Sequence, residues 1–531
     1  MASGGYHAEG PSLPGATEDY SAGVLVTAAI DLGTTLSGYA FAFRDKPTRI
    51  YASTWSTITT ANFQPTKTPT TLLLKPNGDF HAFGLDAEEI YVELTENNKH
   101  HDWYYFQHFK MELYHSEAKI DNFQLRLALE PEAASLYCQA DIKLRDVQAG
   151  ELARLSSFQV GHKYILCDIG GGTVDFATHE VCADNSLREI FRASGDALGG
   201  NRVNIKFIAF LETFLGKETF NYFKDECRNE YLSLIKDFEF KKRTYSTNGA
   251  KPICINIPIA LHDCISRDNN TGIDDIIVRG GFESMIQRKK DKLFLNENLV
   301  NLFFKEPVDE IVKILKNILE QENYSINSIL LVGGFADSPY LRETVTKEIK
   351  QICDHINIIK PIDAGLHILK GAVLSVLRPT YISERVSRYS YGFRVAVPYD
   401  KDVHPVELKD CRLSGKLYCS DVFHKCISKG QRLKCGNKIK TTFEARKLDE
   451  ASKNDECTTE LYRSNEPNPK YCTVKEGCTR VGKIVHHPPP GGWGNIAQFT
   501  VEITIGETEL NMEVINSTTA EIYETTIDFL D

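Results

Sequence analysis

Two stretches more than a hundred residues apart share one design. AIDLGTTLSGYAFAF (29–43) and HKYILCDIGGGTVDFATHEV (162–181) each run an apolar strand into an aspartate, one or more glycines and a threonine, then resume as a second apolar strand. Each reads as a hairpin. A glycine at such a turn permits positive φ and lets consecutive N–H groups face one concavity, which suits an anion. Each loop taken singly also has a plain reading as a tight turn. Two of them facing one another, Gly33-Thr34-Thr35 and Gly170-Gly171-Gly172-Thr173, would clasp a chain of phosphates from both sides. Asp31 and Asp168, each at its strand end, would hold a hydrated Mg²⁺, an ion that binds through few carboxylates and keeps several waters.

A third loop follows the same logic. SILLVGGFADSPYLRETVTKEI (328–349) predicts a strand, a double-glycine turn at Gly333 and Gly334, and a helix beginning near Ser338 and Pro339. Paired glycines let a flat nucleoside approach the backbone closely. Further helices are expected over 85–94, 101–115, 130–142, 199–216, 229–243 and 363–377, with short strands at 70–74, 79–83 and 252–259. From about Arg378 alternating strand patterns, turns and seven of the fourteen cysteines replace the long helices, so residues 379–531 predict a β-rich domain. Strands at 499–506 and 509–515 should pair.

The ordered set of loops resembles the superfamily of actin, sugar kinases and seventy-kilodalton heat-shock proteins. DIGGGTVD (168–175), GDALGGNRV (195–203) and LVGGFADSPYL (331–341) are most similar to the heat-shock branch. The opening loop, LALEPEAASLYC (127–138) and IGETEL (505–510) resemble its atypical 12A/12B subfamily. The resemblance implies an α/β fold: a bilobed actin-like ATPase domain at 24–378, built of duplicated ribonuclease-H-like lobes, followed by the smaller β-rich domain. It implies ATP and Mg²⁺ as cofactors, with phosphate contacts from Gly33, Thr34, Thr35, Gly170, Gly171, Gly172 and Thr173, and with Asp31 and Asp168 in the metal's water shell. Lys110, Glu130 and Asp175 match the family's catalytic lysine and its carboxylates near the γ-phosphate and attacking water. Glu239, Lys242 and Arg243, with Gly333 and Gly334, fall where the family holds adenosine. Glu130 reads equally as an acid favoured in the first turn of a helix, and Lys241 to Arg243 as a solvated helix face.

The implied function is an atypical heat-shock-70-like ATP-binding protein, an ATP hydrolase if active, that couples nucleotide state to protein clients or co-chaperones in a chaperone, stress or immune role. The alternative is a nucleotide-poor pseudo-ATPase serving as an interaction scaffold. A small-molecule kinase shares the superfamily fold but would want a sugar-binding carboxylate motif that is not evident.

Departures from the family pattern carry their own expectations. Only 20 positions separate Lys110 from Glu130, and YHSEAKIDNFQLR (114–126) is too short to encode the usual excursion, since a single parallel crossover takes about 10–12 residues. The first lobe is therefore truncated, through a splice form or an incomplete gene model, and should lose a strand and a covering helix, exposing apolar surface or an open strand edge. Phe335, Ala336 and Asp337 stand where relatives place a small polar residue and a base-stacking cation. The connection at 378–392 lacks the family's acidic, leucine-rich linker, and neither a helical lid nor an acidic tail motif follows the β-rich domain.

With 61 Lys and Arg against 72 Asp and Glu, the formal charge of −11 argues against a nucleic-acid footprint. No apolar run reaches 18 residues, so no membrane span is expected. Residues 1–23 read as a disordered tail without a secretory signal. Fourteen cysteines without a C-x-x-C pair read as free thiols of a reducing, cytoplasmic compartment. The adjacent histidines at 100–101 and 486–487 read as loop residues, and the aromatics at 103–109 as core.

Overall fold

The structure is a computed structural model that describes residues 25–47, 49–55, 65–110, 127–140, 143–146, 152–154, 158–249, 251–267, 272–321, 325–378, 381–413, 416–447, 450, 452–506, 509–517 and 519–528. The expected tail at 1–23 and the shortened segment at 114–126 lie outside these residues. Two compact units emerge, one within 1–179 and 193–378 and the other within 180–192 and 379–531.

In the first unit β1 (Val26–Leu32) and β2 (Leu36–Phe43) form an antiparallel hairpin with Asp31 opposite Gly38. β3 (Ile50–Ala52) extends the sheet beyond β2, and β4 (Thr68–Pro69) joins β2 beside the loop. The pleat sends alternate residues to opposite faces. Ala29, Ala40 and Ala42 pack inward on Leu369 and Val373. β5 (Thr71–Leu74), β6 (Phe80–Phe83) and β7 (Tyr104–Gln107) make a small sheet of order β6-β5-β7, backed by α1 (Leu85–Glu96).

β7 corrects the helix expected over 101–115, whose residues beyond 110 are not described. Its run of Tyr104, Tyr105 and Phe106 is rich in strand-favouring aromatics, and it pairs antiparallel with β5. The side chains alternate, as a strand requires: Tyr105 stacks on Tyr91, with centroids 3.9 Å apart, whereas Tyr104 and Phe106 are exposed. Those two aromatics are therefore surface, not core.

α2 (Glu130–Ala140) carries Pro131 in its first turn, where the missing N–H costs nothing. Next come β8 (Lys143–Asp146), β9 (Leu152–Arg154), β10 (Lys163–Ile169), β11 (Val174–Val181) and β12 (Leu187–Asp196). Helices α3 (Asn201–Leu215), α4 (Lys217–Glu226) and α5 (Arg228–Lys242) follow. β13 (Ile253–Asn256), α6 (Ile259–Arg267), α7 (Ile273–Arg279), β14 (Ile286–Lys289) and β15 (Lys292–Leu295) lead to α8 (Glu297–Glu320), β16 (Ser328–Val332), α9 (Pro339–Lys350), β17 (Asn357–Pro361) and α10 (His367–Leu377). α9 starts where the sequence places it, with Ser338 as N-cap and Pro339 in the first turn.

The main sheet of this unit has the order β11-β10-β16-β17-β8-β9, with β10, β16 and β17 parallel. β10 from Tyr164 onward and all of β16 are mostly apolar and buried, the signature of strands covered on both faces. α10 packs under β1 and β2, α2 packs against β10, and α2 and α10 cross. The crossing is close enough that a Cβ on Gly371 would lie 1.7 Å from the carbonyl oxygen of Ala133. Two strand–loop–strand hairpins, each backed by one of two crossing helices, give the α/β arrangement that the sequence implies.

In the second unit β18 (Ile382–Val386) runs parallel to β12 from Leu187. Ten further strands follow: β19 (Ser390–Pro398), β20 (Lys409–Leu413), β21 (Lys416–Ile427), β22 (Arg432–Lys434), β23 (Lys438–Arg446), β24 (Cys457–Ser464), β25 (Cys478–His486), β26 (Ile496–Ile505), β27 (Glu509–Asn516) and β28 (Ile522–Asp528). β22 pairs antiparallel with β18, and the other nine make a five-stranded sheet, β20-β21-β19-β24-β25, and a four-stranded one, β23-β26-β27-β28. Their shared core includes Tyr391, Phe393, Leu461, Trp493, Phe499 and Met512. The β-rich expectation for this part holds, down to the pairing of β26 with β27.

Candidate functional site

The turn after β1 can close only at a glycine, because a Cβ on Gly33 would sit 2.3 Å from the carbonyl oxygen of Leu36. Thr70 braces it from outside. Its hydroxyl donates to the Gly33 carbonyl at 2.6 Å and its amide to the Thr35 carbonyl at 2.9 Å. His108 Nδ1 lies 3.2 Å from the Thr34 carbonyl oxygen. The second loop is held by α3. Amides of Gly199, Gly200 and Asn201 donate to the carbonyls of Gly172, Gly170 and Gly171, and the Gly170 amide closes the turn onto the Thr173 carbonyl.

These two loops meet. A Cβ on Gly171 would fall 2.0 Å from Thr35 Oγ1, and one on Gly172 would fall 2.4 Å from Thr34 Oγ1. The contact is tighter than a clasp with a phosphate between its jaws, so the threonine hydroxyls must swing away before an anion can reach the glycine loop. The third loop closes on the same spot. Gly333, at φ 86°, lies where a Cβ would be 2.6 Å from Asp168 Oδ1.

Asp168, at the end of β10, is buried, and neither carboxylate oxygen has a hydrogen-bond partner. Burial first, then the charges of Glu130, Asp175 and Asp31, push its carboxyl well above the usual range, with Lys67 opposing. Asp31 is paired with Lys67 at 2.6 Å. Glu130 opens α2 and faces Lys110 at 3.2 Å. Burial raises the Glu130 carboxyl while Lys110 pulls it down. Burial alone would lower the Lys110 ammonium, but the carboxylate of Glu130 more than compensates. Asp175 adjoins the segment at 195, where a Cβ on Gly195 would lie 2.0 Å from Asp175 Oδ1. The predicted catalytic and metal-facing residues thus gather around one cluster of carboxylates.

The fit to Mg²⁺ follows from that cluster. Among the described residues no three His, Cys, Asp or Glu side chains converge to ligate an ion directly. A buried, unpartnered Asp168 beside Asp31 instead suits an ion held through its own waters.

The residues matched to adenosine lie at the junction of α3 and α5. Glu239 accepts from Asn204 at 2.6 Å and pairs with Lys242 at 2.5 Å and Arg243 at 3.0 Å. Burial pushes its carboxyl up, but Lys242 leads the groups that bring it below the usual range. Lys242 is buried, and burial lowers its pKa. Its ammonium donates to the Gly200 carbonyl at 2.7 Å, to Asn204 Oδ1 at 2.8 Å and to Glu239, so its three N–H groups are all used within the protein. Arg243 is more exposed. In the third loop Phe335 is buried against Gly200, while Asp337, the acid standing in for a base-stacking cation, pairs with Lys360 at 2.7 Å. Gly334 has open space where a side chain would be.

Sequence reasoning missed Lys67, Thr70, His108 and Asn204. Lys67 sits in a Pro-Thr-Lys-Thr-Pro stretch, and only the fold carries it across 36 residues to Asp31. A half-buried lysine and a buried aspartate 36 positions apart leave no periodic trace.

With this geometry in view, the chain compares with known proteins as follows. A family model described as a domain of unknown function (DUF8568) matches residues 385–485. Heat shock 70 kDa protein 12A of Mus musculus is 26% identical over 635 residues, covering 96% of this chain and 92% of that protein; the Homo sapiens 12A protein is 26% identical over 636, with the same coverage. Heat shock 70 kDa protein 12B of Homo sapiens is 25% identical over 538 residues, covering 79% of this chain and 78% of that one. Since 96% of 531 residues is about 510, roughly 125 of the 635 aligned positions in the mouse comparison are gaps in this chain. Among solved structures, MreB5 of Spiroplasma citri bound to ADP aligns at 12% identity with a TM-score of 0.38, covering 67% of this chain and 98% of that one. The resemblance drawn from the motifs is borne out by the similarity to the 12A and 12B proteins.

Proposed function

We propose that this chain, similar over 96% of its length to heat shock 70 kDa protein 12A and over 79% to 12B, binds ATP with Mg²⁺ between its two hairpin loops and uses the nucleotide state to govern protein binding. The observation that carries the reading is the convergence of Thr34 and Thr35 on Gly171 and Gly172, directly in front of an unpartnered, buried Asp168. Gly33, Thr34 and Thr35 would donate to the phosphates from one side, and Gly170 to Thr173 from the other. When bound, Mg²⁺ supplies charge neutralisation for the phosphates and relieves the repulsion among the carboxylates. Asp31 and Asp168 would orient its waters.

Hydrolysis, in this reading, is phosphoryl transfer to water, where positioning and electrostatics do most of the work. Lys110, held against Glu130, would reach the terminal phosphate, and Glu130 and Asp175 would orient the attacking water. Gly333 and Gly334 would bring backbone flat against the nucleoside, with Glu239 and Arg243 at its edge and Lys242 bracing them from within. Entry of the phosphates requires the hairpins to part, and the crossing of α2 and α10 is the natural pivot. Protein clients or co-chaperones would meet the β-rich unit, in a chaperone or stress role. Buried free thiols such as Cys167 suit a reducing cytoplasm.

Titration calorimetry of the full chain with Mg-ATP tests this, with Asp168→Ala as the comparison. Saturable heat lost in the variant is expected; a folded wild-type chain that takes up no nucleotide would refute the reading. The scaffold alternative draws support from the saturated Lys242 and from the Lys67 ammonium already bound to Asp31. It requires partner capture that is indifferent both to ATP and to Asp168→Ala.

A further inference from the structure

We propose that the outer face of β1, β2 and β3 is the contact face of a symmetric dimer of this chain. The register places Val26 opposite Phe43, Ala28 opposite Phe41 and Ile30 opposite Tyr39, so these six side chains share one face. Tyr51 of β3 continues it, stacked on Phe41 at 5.4 Å. The opposite face of the same sheet is the buried one, on Leu369 and Val373. Ile30 is 83% exposed, and Val26, Tyr39 and Phe43 are each above 40%. The residues that β1 and β2 place on this face are uncharged. Arg49, which the register sets on the same face beside Phe43, lies over the Tyr51 ring at its edge, 5.2 Å from the centroid.

Scattered surface hydrophobics need no explanation, whereas a contiguous apolar sheet face does. β1 is also an open edge, for among the described residues β2 is its sole strand partner. With its flanking Leu32 the face offers on the order of 600 Å² of apolar area per copy, against the ~800 Å² per partner of a standard interface.

A second copy is the occupant that the chemistry favours. A twofold axis presents the same uncharged aromatic and aliphatic patch on both sides, and two such sheets can stack about 10 Å apart with their side chains interdigitated. Charge, which would select a different partner, is confined to the rim. The inference is independent of nucleotide binding.

Sedimentation velocity on the full chain at about 10 μM, where interfaces of this size associate measurably, is the test. Twice the monomer mass is expected, with slowed amide exchange in β1 and β2 relative to a diluted sample. Ile30→Lys and Phe43→Lys should each weaken association at least tenfold; both side chains are exposed in the monomer, so a native circular dichroism spectrum is expected alongside. A monomer at this concentration overturns the proposal, whether its β1 and β2 are unprotected or are shielded by the chain's own residues. Open-ended aggregation, or a dimer that survives both substitutions, overturns it too.

Discussion

Thr34 and Gly172, 138 positions apart in sequence, are so close that a single methyl group cannot be inserted between them: a Cβ on Gly172 would lie 2.4 Å from Thr34 Oγ1. Neither residue is replaceable by a bulkier one without parting the two hairpins.

Gly172→Ala therefore tests the loop contact. The glycine is not in the left-handed region, so the substitution forces separation of the loops, not backbone strain. A loss of about 1–3 kcal/mol in stability is expected from overpacking. Calorimetry should show Mg-ATP affinity falling at least tenfold, because the added carbon fills the gap between the loops that the proposed site assigns to the phosphates.

Lys67→Met removes the cation that neutralises Asp31 beside the buried Asp168. Breaking one partner of a largely buried pair leaves an uncompensated charge, and a loss on the order of 2–4 kcal/mol follows in metal-free buffer. Millimolar Mg²⁺ should restore a larger part of the melting temperature in this variant than in the wild type. Differential scanning fluorimetry with a magnesium titration reads both effects.

Gly371→Ala places a methyl 1.7 Å from the Ala133 carbonyl and cannot be absorbed without separating α2 from α10. Gly365→Ala, where no atom lies within 4 Å, is the matched control. The first should cost about 3 kcal/mol or abolish the cooperative transition, and the second well under 1 kcal/mol, in urea unfolding followed by circular dichroism.

Acid should weaken the β-rich unit through His486. The ring is fully buried, with Nε2 3.0 Å from Thr459 Oγ1 and its face on Phe499 at 4.3 Å. Burial, the dominant cause, lowers its pKa from 6.5 to about 4, with Glu521 opposing and His487 reinforcing. A depressed folded pKa means the unfolded chain binds the proton more tightly. The stabilisation is complete above pH 6.5 and is lost as pH falls toward 4, a change on the order of 2–3 kcal/mol. Trp493, packed edge-on to Phe499 at 5.6 Å, supplies a fluorescence signal nearby. His486→Phe should flatten the pH dependence in that window.

Much of this was legible because it is local. The strand–Asp–Gly–Thr pattern fixed β1, β2, β10 and β11 and their loops, and Ser338-Pro339 marked the start of α9 through capping chemistry alone. What was hidden was tertiary. The aromatics at 103–109 fit a helical period and a strand period equally well, and only pairing with β5 decided for the strand. Lys242 looked like a ligand-facing cation until Asn204 and the Gly200 carbonyl claimed its protons. Asp337, an apparent obstacle to a base, is neutralised by Lys360 from β17. The exposed apolar face of β1, β2 and β3 was not legible, because tertiary packing decides which side of the sheet α10 covers.

The amides of Gly199, Gly200 and Asn201, leading into α3, hold all three carbonyls of the Gly170–Gly172 loop, and Asn204, one turn into that helix, is bolted through Lys242 and Glu239 to the end of α5. Loop and helices therefore form a rigid crank. Displacing the glycine loop by an ångström levers α5 along with it, so the far end of that helix, at Arg228, would feel an event at Gly171 without touching any ligand.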